Sequence, residues 1–254
     1  MIKPGWYDVD NEVYHHSEDY RYCMTSSGLK QMDRSPLHWH TWRTLPPTGA
    51  TPALAFGSAF HSYMLEPEKI ECELLTGRTQ VAIDDDGMIS VNNDALETLK
   101  GMKESLMACE ISALIVNHPK AIYERAGFFI DPVRPNVTGS IKPDIRIPEL
   151  GIIADLKSTT DASQVAFPRS VRKFKYDWQA WWYLRGANSI SHEVYDKFII
   201  IAIEKTPPYG VMIYEMTEAL YWAETRVMPI IEKFSLCLDM DRWPGYKNTE
   251  IIEL

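Results

Sequence analysis

The sequence predicts an α/β fold, a central mixed β-sheet flanked by helices, and three observations lead there. Helical patterns dominate the first 118 residues, β-rich segments cluster between about 121 and 159, and an apolar run, "YDKFIIIAIEK", follows a further helical stretch. A helical entrance, three strands, a helix, two strands and a last helix bury their apolar faces as an α/β sandwich.

Taken in order, "TSSGLKQMDRSPLHWHTW" opens with capping hydroxyls at Thr25, Ser26 and Ser27 and meets Pro36, which predicts a short helix and then a turn. After the loop "LPPTGATP", the apolar spacing of "ALAFGSAFHSYMLEPE" suits a buried helix ended by Pro67. Residues 76–92 are polar, with "DDDG" at 84–87, and read as a surface excursion. An amphipathic helix is expected from about Asn93 to Val116, with Leu96, Leu99, Met102, Leu106 and Leu114 facing inward. "AIYERAGFFID", "VTGSIKPDIRIP" and "GIIADLKST" then read as three strands, punctuated by Pro132, Pro135 and Gly151. A helix from about Ser163 to Asn188, delayed by Pro168, leads to "YDKFIIIAIEK", whose continuous apolar character suits a strand covered on both faces. "YGVMIYEM" is its expected hairpin partner across "TPP", and a helix from about Thr217 to Met240, kinked at Pro229, closes the chain.

The totals narrow the function classes. The chain of 254 residues, 45% hydrophobic and 24% charged, fits one large globular domain. No apolar run approaches the roughly 20 residues that span a bilayer, and the start lacks a secretory signal, so a cytoplasmic location without a membrane is expected. Cys23, Cys72, Cys109 and Cys237 are scattered, which argues against a zinc knuckle or a locally held cluster. The net charge of −9 disfavours a general affinity for nucleic acid but leaves room for a local basic patch.

The chemistry concentrates in "KPDIRIPELGIIADLKST". Side chains two apart on a strand share a face, so Asp155 and Lys157 emerge together, and the short "PELG" turn brings Asp144 of the preceding strand close. Two carboxylates so near repel unless a cation lies between them, and an oxygen-rich site selects a hard ion such as Mg²⁺ or Mn²⁺. A lysine beside them favours deprotonation of water and steadies negative charge gathering at phosphorus. Read alone, the Asp-Leu-Lys triplet is equally an ion pair at a sheet rim.

The wider order of motifs changes that balance. Pro143-Asp144 followed by Asp155-Leu156-Lys157 resembles the PD-(D/E)xK (restriction-endonuclease-like) superfamily. "FGSAFHSYMLEPE", carrying His61, and "DWQAWWYLRG", with Gln179 and Tyr183 one turn apart, resemble the histidine helix and the Q-x-x-x-Y helix of its RecB-like branch. "YERAGFFID" supplies Glu124 at the additional acid position. With "GWYDVDNEVYHHS", "SSGLKQMDRSPLHW" and "DRWPGYKNTEIIEL", nearly the whole chain is similar to the nuclease domain of exonuclease VIII (RecE), and more distantly to lambda exonuclease.

The resemblance implies a single nuclease domain over 1–254, with a mainly helical part at 1–118, a catalytic core at 119–240 and a tail at 241–254. It implies Asp144, Asp155 and His61 as metal ligands, Lys157 as the water-activating group, Glu124 as an assisting acid, and Gln179 and Tyr183 as contacts to DNA or to the ligands. "FPRSVRKFKYDW" concentrates Arg169, Arg172, Lys173 and Lys175 and reads either as a phosphate-tracking wall or as a solvated helix face. Ser26 and Ser27, near Arg21, resemble a terminal-phosphate segment. The activity implied is 5′ to 3′ digestion of double-stranded DNA ends with Mg²⁺ (Mn²⁺ substituting), leaving 3′ single strands for an annealing protein in a bacterial or phage-infected cell. A ring-shaped homo-oligomer is implied with it. An endonuclease on the same core, structure-specific or restriction-type, and a non-cleaving DNA-binding module are the rivals.

Overall fold

A computed structural model describes residues 3–45, 51–72, 80–84 and 88–246. The Pro-rich loop at 46–50, the acidic run at 85–87, residues 73–79 and the tail from 247 onward lie outside the described residues.

The chain opens with β1 (Gly5–Tyr7) and α1 (Asn11–His16), followed by α2 (Ser26–Arg34) and α3 (Pro36–Thr44). Thr25, and not the two serines, caps α2, its hydroxyl accepting the Gly28 N–H at 2.9 Å. Pro36 opens a second helix and does not end in a turn: Ser35 is the cap of α3, and proline suits its first turn because the missing N–H would have no partner there. α4 (Pro52–Leu65) ends before Pro67, as its sequence predicts.

β2 (Ile70–Cys72), β3 (Val81–Ile83) and β4 (Ile89–Val91) form a small sheet in the order β2-β4-β3, where a surface excursion was expected. Strands of three residues are too short to show a period. The expected helix from Asn93 to Val116 is two helices, α5 (Asn93–Ala108) and α6 (Glu110–Val116), broken at Cys109. Leu99, Met102 and Leu106 are buried as expected, whereas Leu114, beyond the break, is 64% exposed.

Two of the three expected β segments are each divided. β5 (Ile122–Tyr123) and β6 (Ala126–Ile130) belong to different sheets, as do β7 (Thr138–Ile141) and β8 (Ile145–Ile147). The interruptions fall at Glu124, whose φ is +47°, and at Lys142–Asp144. β9 (Ile152–Thr159) leads through α7 (Phe167–Phe174) and α8 (Tyr176–Ile190) to β10 (Lys197–Glu204), which lies parallel to it; β11 (Val211–Glu215) returns antiparallel and α9 (Thr217–Met240) runs continuously past Pro229.

The main sheet has the order β11-β10-β9-β8-β5, mixed as expected, and a second sheet has the order β1-β6-β7. β9 is covered on both faces. Ile153 joins one apolar cluster with Trp178, Trp182 and Phe198, while Ala154 and Leu156 join another with Phe60, Leu99 and Met102. The tryptophans of α8 are thus core residues. Between β8 and β9, Gly151 adopts φ +63°, and a Cβ there would meet the Val194 carbonyl oxygen at 2.6 Å, so this tight turn requires glycine.

The same packing limits Gly139 on β7, where a Cβ would lie 2.4 Å from Phe129 Cζ and 2.6 Å from Trp182 Cζ2. Gly139→Ala is expected to lower stability by about 1–3 kcal/mol through overpacking, read as a fall in thermal melting temperature; an unchanged melting temperature would contradict this close approach.

Candidate active site

The ends of β8 and β9 create the site. Ile145 pairs with Ala154, so Asp144 and Asp155 stand where the next rung would be. β8 stops there because the Asp144 side chain, through Oδ2, takes the Leu156 N–H at 2.6 Å in place of a backbone carbonyl. Asp144 is thereby fixed against β9, and Asp155 lies inside at 1% exposure.

Two helices and a kinked loop complete the cluster. α4 carries His61, whose Nδ1 lies 3.2 Å from Asp144 Oδ2. Glu124 sits between β5 and β6 in the left-handed region, and its N–H donates to the Asp144 carbonyl at 3.2 Å. A non-glycine residue in this conformation is strained, and such strain gathers at functional positions. One ligand atom each from His61, Glu124 and Asp144 fit within 4.8 Å of one another, a spacing suited to one metal ion. This differs from the expected ligand set, in which Asp155 stood where Glu124 stands.

Asp155 is occupied otherwise. Gln179 of α8 donates Nε2–H to its Oδ1 at 2.6 Å, and Lys157 ion-pairs with its Oδ2, which accepts no well-aligned hydrogen bond. Gln179 and Tyr183 are each only 9% exposed. Of the two expected roles, contact to DNA or to the ligands, the burial of Gln179 favours the second, in which it orients Asp155 from the protein interior. Tyr183 lies against Gln179.

Desolvation and close charges displace every titration in the cluster. Burial alone would depress the His61 imidazole, but the charge and hydrogen bond of Asp144 push it up to about 9. Glu124 rises to about 8, from burial first and then from the charge on Asp144. Burial works to raise Asp144 as well, yet His61, Lys157 and the Leu156 N–H hold it below the ordinary carboxylate value. Asp155 stays above that value because its burial outweighs Lys157. For Lys157 the balance is reversed: burial disfavours the ammonium, and Asp155 and Asp144 overcome it.

The basic stretch is only partly available. Arg169, Arg172 and Lys173 on α7 are exposed, and among the described residues none has an ion-pair partner. Lys175 does not belong with them, because it pairs with Asp33 and lies 4.0 Å from the centroid of the Trp178 ring. Ser27 is exposed on the first turn of α2 and Ser26 is half-buried, but Arg21 is paired with Glu18 at 2.8 Å. Two residues of the surroundings went unnoticed in the sequence. Lys142 lies 3.8 Å from Glu124 Oε2, and its place in "KPD" was the available signal. Lys30 shares the Tyr176 ring with Lys157, and nothing in its own segment announces it.

A mixed sheet with two acids and a lysine at the ends of adjacent antiparallel strands, backed by a helix glutamine on the second acid, defines an α/β core of the PD-(D/E)xK kind. The family described as "PDDEXK-like domain of unknown function" (DUF3799) matches residues 25–254, and the chain belongs to it. A crystal structure of a "putative exonuclease" from Eubacterium rectale shares the fold, with a TM-score of 0.66 and 15% identity over 98% of this chain and 96% of that one. No curated protein matches the chain in sequence. Among the described residues no helix is long and apolar enough to cross a membrane.

The electrostatics make a measurable statement. In metal-free protein the His61 ring protons are expected to titrate near pH 9 by nuclear magnetic resonance, and in Asp144→Asn the midpoint should fall by more than one pH unit. A wild-type midpoint near the ordinary 6.5 would separate His61 from Asp144.

Proposed function

We propose that this protein is a divalent-metal-dependent nuclease that digests double-stranded DNA from its ends, 5′ to 3′, and leaves 3′ single strands for a strand-annealing partner. The observation that carries the reading is the meeting of His61, Glu124 and Asp144 within ligand distance of one another, beside the Asp155–Lys157 pair. The exonuclease VIII-like order of motifs supports the polarity and the substrate, and the fold shared with a "putative exonuclease" agrees with it. A ring of subunits around the duplex would reconcile a charge of −9 with DNA binding, its inner wall basic and its outer wall acidic.

The donor set fits a hard cation. Two carboxylates and an imidazole match Mg²⁺ or Mn²⁺, whereas the described free thiols, Cys23, Cys109 and Cys237, take no part in the cluster. In this reading His61, Glu124 and Asp144 hold the ion, with Asp155 beside it. When bound, the ion supplies Lewis acidity toward phosphoryl oxygen and makes water more acidic. The chain's own groups do the rest. Lys157, charged and buried, faces the water that attacks phosphorus and steadies the charge that gathers there. Gln179 keeps Asp155 oriented, so that Lys157 is held in one place. Water oxygen bonds to phosphorus and gives up one proton to solvent, the bond from phosphorus to the 3′ oxygen breaks, and that oxygen takes a proton from solvent, giving a 5′-phosphate and a 3′-hydroxyl. Arg169, Arg172 and Lys173 hold backbone phosphates of the incoming duplex.

Incubating end-labelled linear and nicked-circular duplex with and without Mg²⁺ tests this reading. Loss of the 5′ label from linear DNA only with Mg²⁺ is expected. Cutting of covalently closed circular duplex, included as a third substrate, would support an endonuclease, and intact ends under every divalent salt would leave a binding module. Asp144→Asn should reduce digestion by more than about 100-fold while DNA is still bound. The double variant Arg172→Glu, Lys173→Glu should weaken binding and lessen the slope of log affinity against log salt by about 1–2; an unchanged slope would assign α7 to a solvated face.

A further inference from the structure

Among the described residues, one lysine near the acid cluster, Lys30, has no ion-pair partner. Lys30 lies half-buried on α2, and among the described residues its ammonium makes neither an ion pair nor a hydrogen bond. It meets an aromatic ring instead: its Nζ is 6.0 Å from the centroid of Tyr176. The Lys157 Nζ is 5.0 Å from the centroid of the same ring. Two ammonium groups, one from α2 and one from β9, therefore converge on Tyr176 at the start of α8.

α2 is fixed in that position. Leu29 and Met32 are fully buried, and Asp33, one turn from Lys30, pairs with Lys175 at the junction of α7 and α8. Lys30 is presented by a packed helix, and its acidic neighbours only partly offset the cost of burying its charge. Burial and then Lys157 lower the ammonium to about 8; Asp155 and Asp177 oppose that effect, and Lys175 adds to it. Attraction to a ring face offsets little of this in a partly wet site. Anionic charge brought beside the ammoniums would offset their repulsion, and a phosphodiester backbone is a run of anions that a compact ammonium recognises as point charges. Tyr176 fits the same purpose, since its half-buried ring offers a flat apolar surface beside both ammoniums.

We propose that Lys30 is a positioning residue of the nuclease site: it holds a backbone phosphate of the bound DNA while Lys157 faces the phosphate that is cut, and the two lysines set the register of the strand over the acid cluster. This rests on the nuclease reading above. A solvated lysine that merely leans on tyrosine is the alternative, and it makes different demands on binding.

Binding of a labelled short duplex with chelator present, where metal-dependent cleavage is absent, reads the contact directly. Lys30→Met should bind about three- to tenfold more weakly, with a salt slope smaller by about 1, and Lys30→Arg should restore both. With Mg²⁺ the Michaelis constant of Lys30→Met should rise severalfold while Mn²⁺ affinity stays at the wild-type value. Wild-type affinity and slope in Lys30→Met would overturn the proposal. Should that variant fail to fold, Lys30→Gln is measured in its place, and wild-type binding by it has the same meaning. The two readings fail separately: DNA left intact by wild type, with binding still dependent on Lys30, sinks cleavage and keeps the phosphate contact. Normal cleavage with binding indifferent to Lys30 sinks this proposal alone.

Discussion

The rest of the site depends on like charges held together out of water. Asp144, Asp155 and Glu124 are enclosed, and each answers the same unfavourable situation in its own way. Asp144 stays ionised by drawing on His61 and the Leu156 N–H; Asp155 relies on Lys157 and Gln179; for Glu124 the charges of His61 and of Lys142, at 3.8 Å, do not offset burial and Asp144, and it retains its proton up to about 8. The proton on His61 supplies beside Asp144 the positive charge that a divalent ion would supply. Ion binding and loss of that proton are therefore linked events, because an imidazole ligates only when neutral.

The scaffold exists to keep that arrangement from relaxing. A strand buried on both faces cannot turn its acids toward solvent, and β9 is such a strand, with clusters led by Trp182 on one side and Leu99 on the other. The βαβ connection from β9 through α8 to β10 returns Gln179 to Asp155, and α4 brings His61 from the opposite side of the sequence. Removing one partner from such a cluster leaves another charge buried and unpaired, which costs more than the pair's net contribution.

Much of this was legible in the residues themselves. Alternation along a strand placed Asp155 and Lys157 on one face, and the "PELG" turn brought Asp144 beside them, because both rest on geometry local to a few residues. The apolar continuity of "YDKFIIIAIEK" identified a strand covered on both faces for the same reason. What escaped depends on distant partners. The breaks at Glu124 and at Lys142–Asp144 arise where the chain passes from one sheet to the other, a tertiary demand that no local pattern carries. Lys175 lost its place in the basic wall to Asp33, 142 residues away in sequence. Glu124 was placed in the site only through resemblance, and its left-handed backbone supplies a physical reason for that position.

The central claim is that the enclosed acids await a metal ion, and anomalous scattering from crystals grown with Mn²⁺ addresses it directly. The account predicts a single strong peak within about 2.0–2.3 Å of an Asp144 oxygen, a Glu124 oxygen and a His61 nitrogen, the bond lengths of Mn²⁺ to such donors. A map with no peak there, at Mn²⁺ concentrations that fill other sites, would contradict it and return the cluster to a purely structural role.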